Sequence, residues 1–236
     1  MSLFRLTDVL GHRFKNTQLI ADQFAANGYF VIMPDLFYGD AIPLNKPGEF
    51  DLHKWHEGGY HPEKISHLPP VVDLIVDACL AEMRTKYNCK VSVYFLYYVI
   101  SKGNSSVLYL TDGQKIGAVG YCFGGKYVVR YLCPEDGKID VGYTAHPSFI
   151  TVDELKGIKG PLAISAAEKD TLLPDEKRHE TEAILKELPF PYQINLYSGV
   201  EHGFATRGDI NNSVVRYAKE NALLQALSWF QEHLKD

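Results

Sequence analysis

Cysteine is scarce in this chain, basic residues form no block, and no hydrophobic run is long. The four cysteines, Cys79, Cys89, Cys122 and Cys133, include no CxxC pair. That excludes the usual zinc and thioredoxin-type spacings and, with no signal-peptide h-region, favours a reducing, cytoplasmic setting. Residues 1–15 carry basic side chains, but Asp8 among them disfavours a targeting presequence. The longest apolar run, 91–100, has ten residues, whereas a bilayer takes about 20, so no membrane partner is expected. Lys and Arg number 24 against 29 Asp and Glu, for a net charge of −5, so nucleic acid is not an expected partner. Neither GxGxxG nor a Walker A loop occurs, and His53, His56 and His61 lack the i, i+4 helical pair of zinc hydrolases. No nucleotide, metal or other cofactor is therefore expected.

What is present is ordinary globular material. The 236 residues are 46% hydrophobic, enough for one domain that buries about 70% of its unfolded surface without staples. Short apolar runs alternate with amphipathic stretches, the pattern of a parallel sheet flanked by helices. Strands are expected at 3–6, 29–33, 116–121, 141–145, 161–166 and 192–197, and helices at 17–27, 71–87, 124–132, 175–187 and 213–234. A long polar stretch, 37–70, holds Trp55, Tyr60 and His53, His56, His61 and His67. Loops of that length in compact domains are usually lids or substrate-binding excursions.

Gly120-Tyr121-Cys122-Phe123-Gly124-Gly125-Lys126 follows the apolar run KIGAV and precedes the helical pattern KYVVRYL. This is the strand–turn–helix setting of a nucleophile elbow, with small residues where strand and helix approach. A cysteine there sits at a helix N-terminus, where free N–H groups and the macrodipole favour the thiolate. The bland alternative is a small buried residue, the commonest fate of cysteine. Two later segments weigh against it. Asp170 ends Ser-Ala-Ala-Glu-Lys-Asp after one expected strand, and His202 lies between glycines in Ser-Gly-Val-Glu-His-Gly after the next. Nucleophile, acid, histidine is the α/β-hydrolase order, and all three follow strand ends, where open parallel sheets place their sites.

With those residues in view, the sequence resembles the dienelactone hydrolases, most closely the fungal type. The resemblance rests on TDVLGHRFKNTQLIADQFAANGYFVIMPDLFYGD at 7–40, KIGAVGYCFGGKYVVRYL at 115–132, AHPSF at 145–149, AAEKD at 166–170 and EHGFATRGD at 201–209. It implies a single α/β-hydrolase domain over 1–236, a mostly parallel sheet with helices on both faces. It further implies a Cys122–His202–Asp170 triad that cleaves a small ester or lactone without cofactor. The family's oxyanion hole falls on the backbone N–H groups of Val9 and Phe123, and its thiol-modulating acid on Asp8, placed to contact the cysteine. Arg207 falls where an anionic substrate group would be met, and His146 falls near the site without an assignable role; apart from the resemblance, the aromatic-rich loop from Trp55 to His67 is expected to shape the substrate pocket.

Two departures accompany the resemblance. Family members carry roughly two further strands before the one opening at Leu3, so the chain is expected to be N-terminally short. Residues 91–114, VSVYFLYYVISKGNSSVLYLTDGQ, have no family counterpart, and removing them joins TKYNCK to KIGAVGYCFGGK. The segment reads as a translated intron: its 24 codons keep the frame, and it can be back-translated to begin GTAAGT and end CAG. The genomic DNA decides between this and a genuine strand pair. Two other functional classes compete with the hydrolase. One is a non-catalytic relative that binds a small ligand or partner; the other is a redox-active cysteine, for which Cys133 offers no marked resolving thiol.

Overall fold

The computed structural model describes residues 1–46, 48–86, 115–136 and 138–234. The 91–114 segment thus lies outside the described residues. Six strands, β1 (Ser2–Leu6), β2 (Phe30–Ile32), β3 (Ile116–Tyr121), β4 (Val141–Ala145), β5 (Leu162–Lys169) and β6 (Tyr192–Glu201), form one sheet in the order β2-β1-β3-β4-β5-β6. Every pairing is parallel, so all six strands end at one edge. Parallel neighbours need crossover connections. These are built around α1 (Lys15–Ala26), α2 (Leu52–His56), α3 (Pro69–Lys86), α4 (Phe123–Tyr131), α5 (Val152–Lys156) and α6 (Asp175–Lys186), and α7 (Phe204–Arg207) and α8 (Ser213–His233) follow the last strand.

Successive strand residues point to opposite faces, and the buried residues divide accordingly. Phe4, Leu6, Ile116, Ala118, Leu162 and Ile164 belong to one core with α3 to α6; Leu3, Val119, Tyr121, Ala163 and Ala167 belong to a second with α1 and α8. The central strands β1, β3 and β4 are buried along their whole length because both faces are covered. This is the α/β-hydrolase arrangement that the sequence implies. Among the described residues, no helix is long and apolar enough to cross a membrane.

Three departures from the sequence expectation bear on the site. The stretch 37–70 is not an open excursion. It carries α2, capped by Asp51, whose carboxylate accepts the N–H groups of His53 and Lys54 at 2.8 and 3.1 Å. Helix α3 starts at Pro69, since a missing N–H costs nothing in a first turn. Strands β5 and β6 run three and four residues beyond their apolar cores, pairing with each other as far as Lys169 and Glu201. That extension carries the chain to Asp170 and His202.

Candidate active site

Cys122 stands between β3 and α4 with φ 50° and ψ −112°, a left-handed backbone that non-glycine residues seldom adopt. The conformation is held from three sides. The Cys122 N–H donates to the Ala145 carbonyl at 3.1 Å, and its own carbonyl accepts from Gly125 and Ser148, both at 3.0 Å. Alongside, the Gly124 N–H donates to the Thr7 carbonyl at 3.0 Å. A Cβ on Gly124 would collide with the carbonyl oxygens of Leu6 and Thr7. The absence of that side chain is what lets α4 begin against the end of β1.

The other two residues arrive on neighbouring strands. His202 donates its N–H to the Lys169 carbonyl at 3.0 Å, and Gly203, at φ 92°, turns the chain into α7. The His202 ring lies between acid and sulfur, with Nδ1 2.8 Å from Asp170 Oδ2 and Nε2 3.0 Å from Cys122 Sγ. The second oxygen of Asp170 accepts the N–H groups of Leu172 and Leu173 at 2.8 and 3.0 Å, so both oxygens of this buried side chain are hydrogen-bonded. Burial alone would lower the pKa of His202. The bonds to Asp170 and Cys122, reinforced by their charge, outweigh it and push the imidazole up to about 9. Its side chain remains 13% exposed, the opening through which substrate or water can reach it.

The remaining predicted residues fall around this core. The N–H groups of Val9 and Phe123 have no hydrogen-bond partner among the described residues, and both belong to segments that meet at the Gly124–Thr7 bond. Asp8 is buried, and its carboxylate takes the Leu10 N–H at 3.1 Å, the Thr206 hydroxyl at 2.8 Å and Arg207 at 3.4 Å, with no hydrogen bond to the cysteine among the described residues. The donors of α7 reach it first. Burial raises its pKa, against the pull of Thr206 and Arg207. Trp55 exposes only 1% of its surface. Its indole N–H donates to the Asp40 carbonyl at 2.7 Å, and its ring backs Phe123 at 6.1 Å. Its contact with the residue after Cys122 is therefore through the Phe123 ring.

His146 is fully buried, and neither ring nitrogen has a hydrogen-bond partner among the described residues. Burial, then the charges of His202 and Arg207, hold its pKa well below the ordinary value, so a neutral ring packs 5.1 Å from that of His202. Two further residues are brought in that the sequence did not single out. Thr206 bonds Asp8, and Ser148 places Oγ 3.3 Å from Cys122 Sγ and 3.5 Å from His202 Nε2. Ser148 follows the end of β4 at the same sheet edge as the other three, the one signal that could have found it. Among the described residues no cluster of three or more His, Cys, Asp or Glu side chains could hold a metal. His53 pairs with Glu57 in solvent, and His56 stacks on Phe123. Cys133 hydrogen-bonds Asp136 at 3.3 Å, and its pKa is raised by its burial and by that acid, the reverse of a primed redox thiol.

Comparison with known proteins places the chain. The model of the dienelactone hydrolase family matches residues 5–68 and 101–234, the second stretch taking in 101–114 of the segment expected to lack a family counterpart. A hydrolase of Talaromyces stipitatus, tropI, is 62% identical over 231 residues, covering 98% of this chain and 81% of that protein. The hydrolase pyvD of Aspergillus violaceofuscus is 49% identical over 230 residues, covering 98% and 80%. The crystal structure of a dienelactone hydrolase from Anabaena variabilis superposes with a TM-score of 0.63, covering 99% of this chain and 87% of that one at 11% identity, a likeness of fold. With the family match spanning most of the sequence and the sheet ending in this cluster, the chain belongs to the dienelactone hydrolase family and is a hydrolase.

Proposed function

We propose that this hydrolase cleaves a small ester or lactone through a thioester on Cys122, with His202 as base and acid and Asp170 as its orienting carboxylate. The observation that carries the proposal is the continuous line of contacts, Asp170 to His202 at 2.8 Å and His202 to Cys122 at 3.0 Å. In the resting pair the Sγ proton already sits on Nε2, and the thiolate attacks the substrate carbonyl carbon. The N–H groups of Val9 and Phe123 receive the oxyanion, each such donor typically contributing about 3 kcal/mol. Collapse breaks the C–O bond, and the departing alkoxide takes the proton from His202; in a lactone it remains tethered to the acyl group. His202 then removes a proton from water, which attacks the thioester, releasing the acid and restoring the resting pair. In this reading Arg207, partly exposed beside Asp8, meets an anionic substituent of the substrate.

A thiol-reactive ester probe tests this. Stoichiometric labelling of Cys122 that vanishes in His202→Ala is expected; equal labelling in both proteins would reject the base, and no labelling in either would favour a non-catalytic binding protein.

The raised pKa of His202 has a pH consequence with a definite sign. The imidazolium persists from its ordinary 6.5 up to about 9, so kcat/KM should fall along an alkaline limb centred near 9. The pairing contributes folding stability that is fully present below 6.5 and lost as pH rises through about 9. Asp170→Asn removes the charge that holds the proton, and the limb should move down by about one unit or more. A limb that stays in place in the pH–rate profile of this variant would assign it to another group.

A further inference from the structure

We propose that Ser148 is a fourth catalytic residue, its hydroxyl donating a hydrogen bond to the Cys122 thiolate beside the imidazolium of His202. The inference rests on the triad reading above and adds a donor to it. Ser148 is fully buried. Its Oγ lies 3.3 Å from Sγ, and this is the short contact, since the 3.5 Å to Nε2 is long for a hydrogen bond. No other hydrogen bond of this hydroxyl occurs among the described residues, so its polar contacts are spent wholly on the reacting pair. The backbone serves the same end. The Ser148 N–H donates to the Cys122 carbonyl at 3.0 Å, tying the loop to the nucleophile.

That loop is held in an unfavourable shape. His146 and Phe149, on either side of Pro147-Ser148, have φ of 39° and 58°, a region that non-glycine residues enter rarely and that clusters at functional sites. Fully buried His146 is pinned by its N–H on the Ser165 carbonyl at 2.8 Å. Without that turn Ser148 would not reach the sulfur. A thiolate in so enclosed a place needs donors. His202 supplies one, but it gives up its proton to the leaving group during turnover, and no backbone N–H of α4 bonds the sulfur among the described residues. A hydroxyl that transfers no proton keeps its bond to the sulfur whenever the sulfur is charged.

The charged and titratable groups around the thiol are spread over every neighbouring element: His202 and Arg207 after β6, Asp170 after β5, His146 after β4, Asp8 and Arg5 on β1 and its loop, and His56 across Phe123. Ser148→Ala alters none of these charges, so a change in the ionisation of Cys122 reports the lost donor. The test is the rate of Cys122 alkylation by iodoacetamide across pH, read by mass spectrometry of the labelled peptide, together with kcat/KM.

In Ser148→Ala the alkylation midpoint should rise by about one pH unit, and kcat/KM should fall about tenfold below that midpoint, converging on wild type above it. Ser148→Thr keeps the hydroxyl and should keep the wild-type midpoint even where its added methyl lowers the melting temperature. An unchanged midpoint in Ser148→Ala, a loss of rate equal at every pH, or a threonine variant that behaves like alanine overturns the proposal. The His202→Ala control separates this failure from that of the triad. If His202→Ala also leaves the midpoint unmoved, the triad reading falls; if it shifts the midpoint and Ser148→Ala does not, Ser148 alone is dismissed.

Discussion

Cys122→Ala should lower kcat for ester hydrolysis by about 10⁴-fold or more, as loss of a covalent nucleophile does when the remaining groups act as a unit with it, while the protein keeps its fold. The second half of that expectation follows from the surroundings of the side chain. Cys122 is buried within a core cluster, and alanine removes one atom and fills the same left-handed backbone. The backbone bonds that fix the turn, to Ala145, Gly125 and Ser148, use no atom of the thiol. Thermal unfolding should therefore stay close to wild type. Steady-state hydrolysis with an activated ester makes the comparison, and turnover retained within tenfold of wild type would place the nucleophile elsewhere.

Gly124→Ala should be the opposite kind of variant, destabilised by about 3 kcal/mol or more with its activity lost through structure. The added Cβ meets the carbonyls of Leu6 and Thr7, the second at 2.7 Å. Both are backbone atoms of β1 or its end, and β1 is held by β2 on one side and β3 on the other. No flexible side chain can give way, so α4 and the loop after β1 have to separate, and with them Phe123 and Val9. Gly48→Ala is the matching control, since no atom lies within 4 Å of the corresponding position. Chemical denaturation of the pair reads the difference, and equal midpoints would show that the β1–α4 approach can relax.

Much of this architecture is legible in the sequence because the central strands are apolar on both faces and end at turn residues. Buried runs such as Ile116–Tyr121 and Val141–Ala145 declare themselves that way. Cys122, Asp170 and His202 are legible for a different reason: each lies a few residues or fewer past an expected strand, and a parallel sheet brings such ends to one edge whatever the packing details. What the sequence hides are features set by distant partners. Glu168-Lys169 and Ser198-Gly199 look like loop, yet the two segments extend β5 and β6 against each other. Trp55 sits in a polar stretch and a five-residue helix, too short for any periodicity to announce its burial. The partners of Asp8 come from α7, about 200 residues later, and only tertiary structure can select them over the thiol. Ser148 reaches sulfur through a turn whose two left-handed residues carry no glycine to mark it.

The backbone at Cys122 also limits which chemistries evolution can sample at this position. With φ at 50°, a side chain with one heavy atom on Cβ is tolerated, but a β-branched one meets the adjoining peptide groups. Serine can take the place of cysteine by a single-atom exchange, changing the element that attacks while keeping the elbow. Threonine, although it too carries a hydroxyl, is barred by geometry and not by reactivity. Under the proposed mechanism, the attacking atom at this turn can change from sulfur to oxygen by a single exchange without disturbing the backbone.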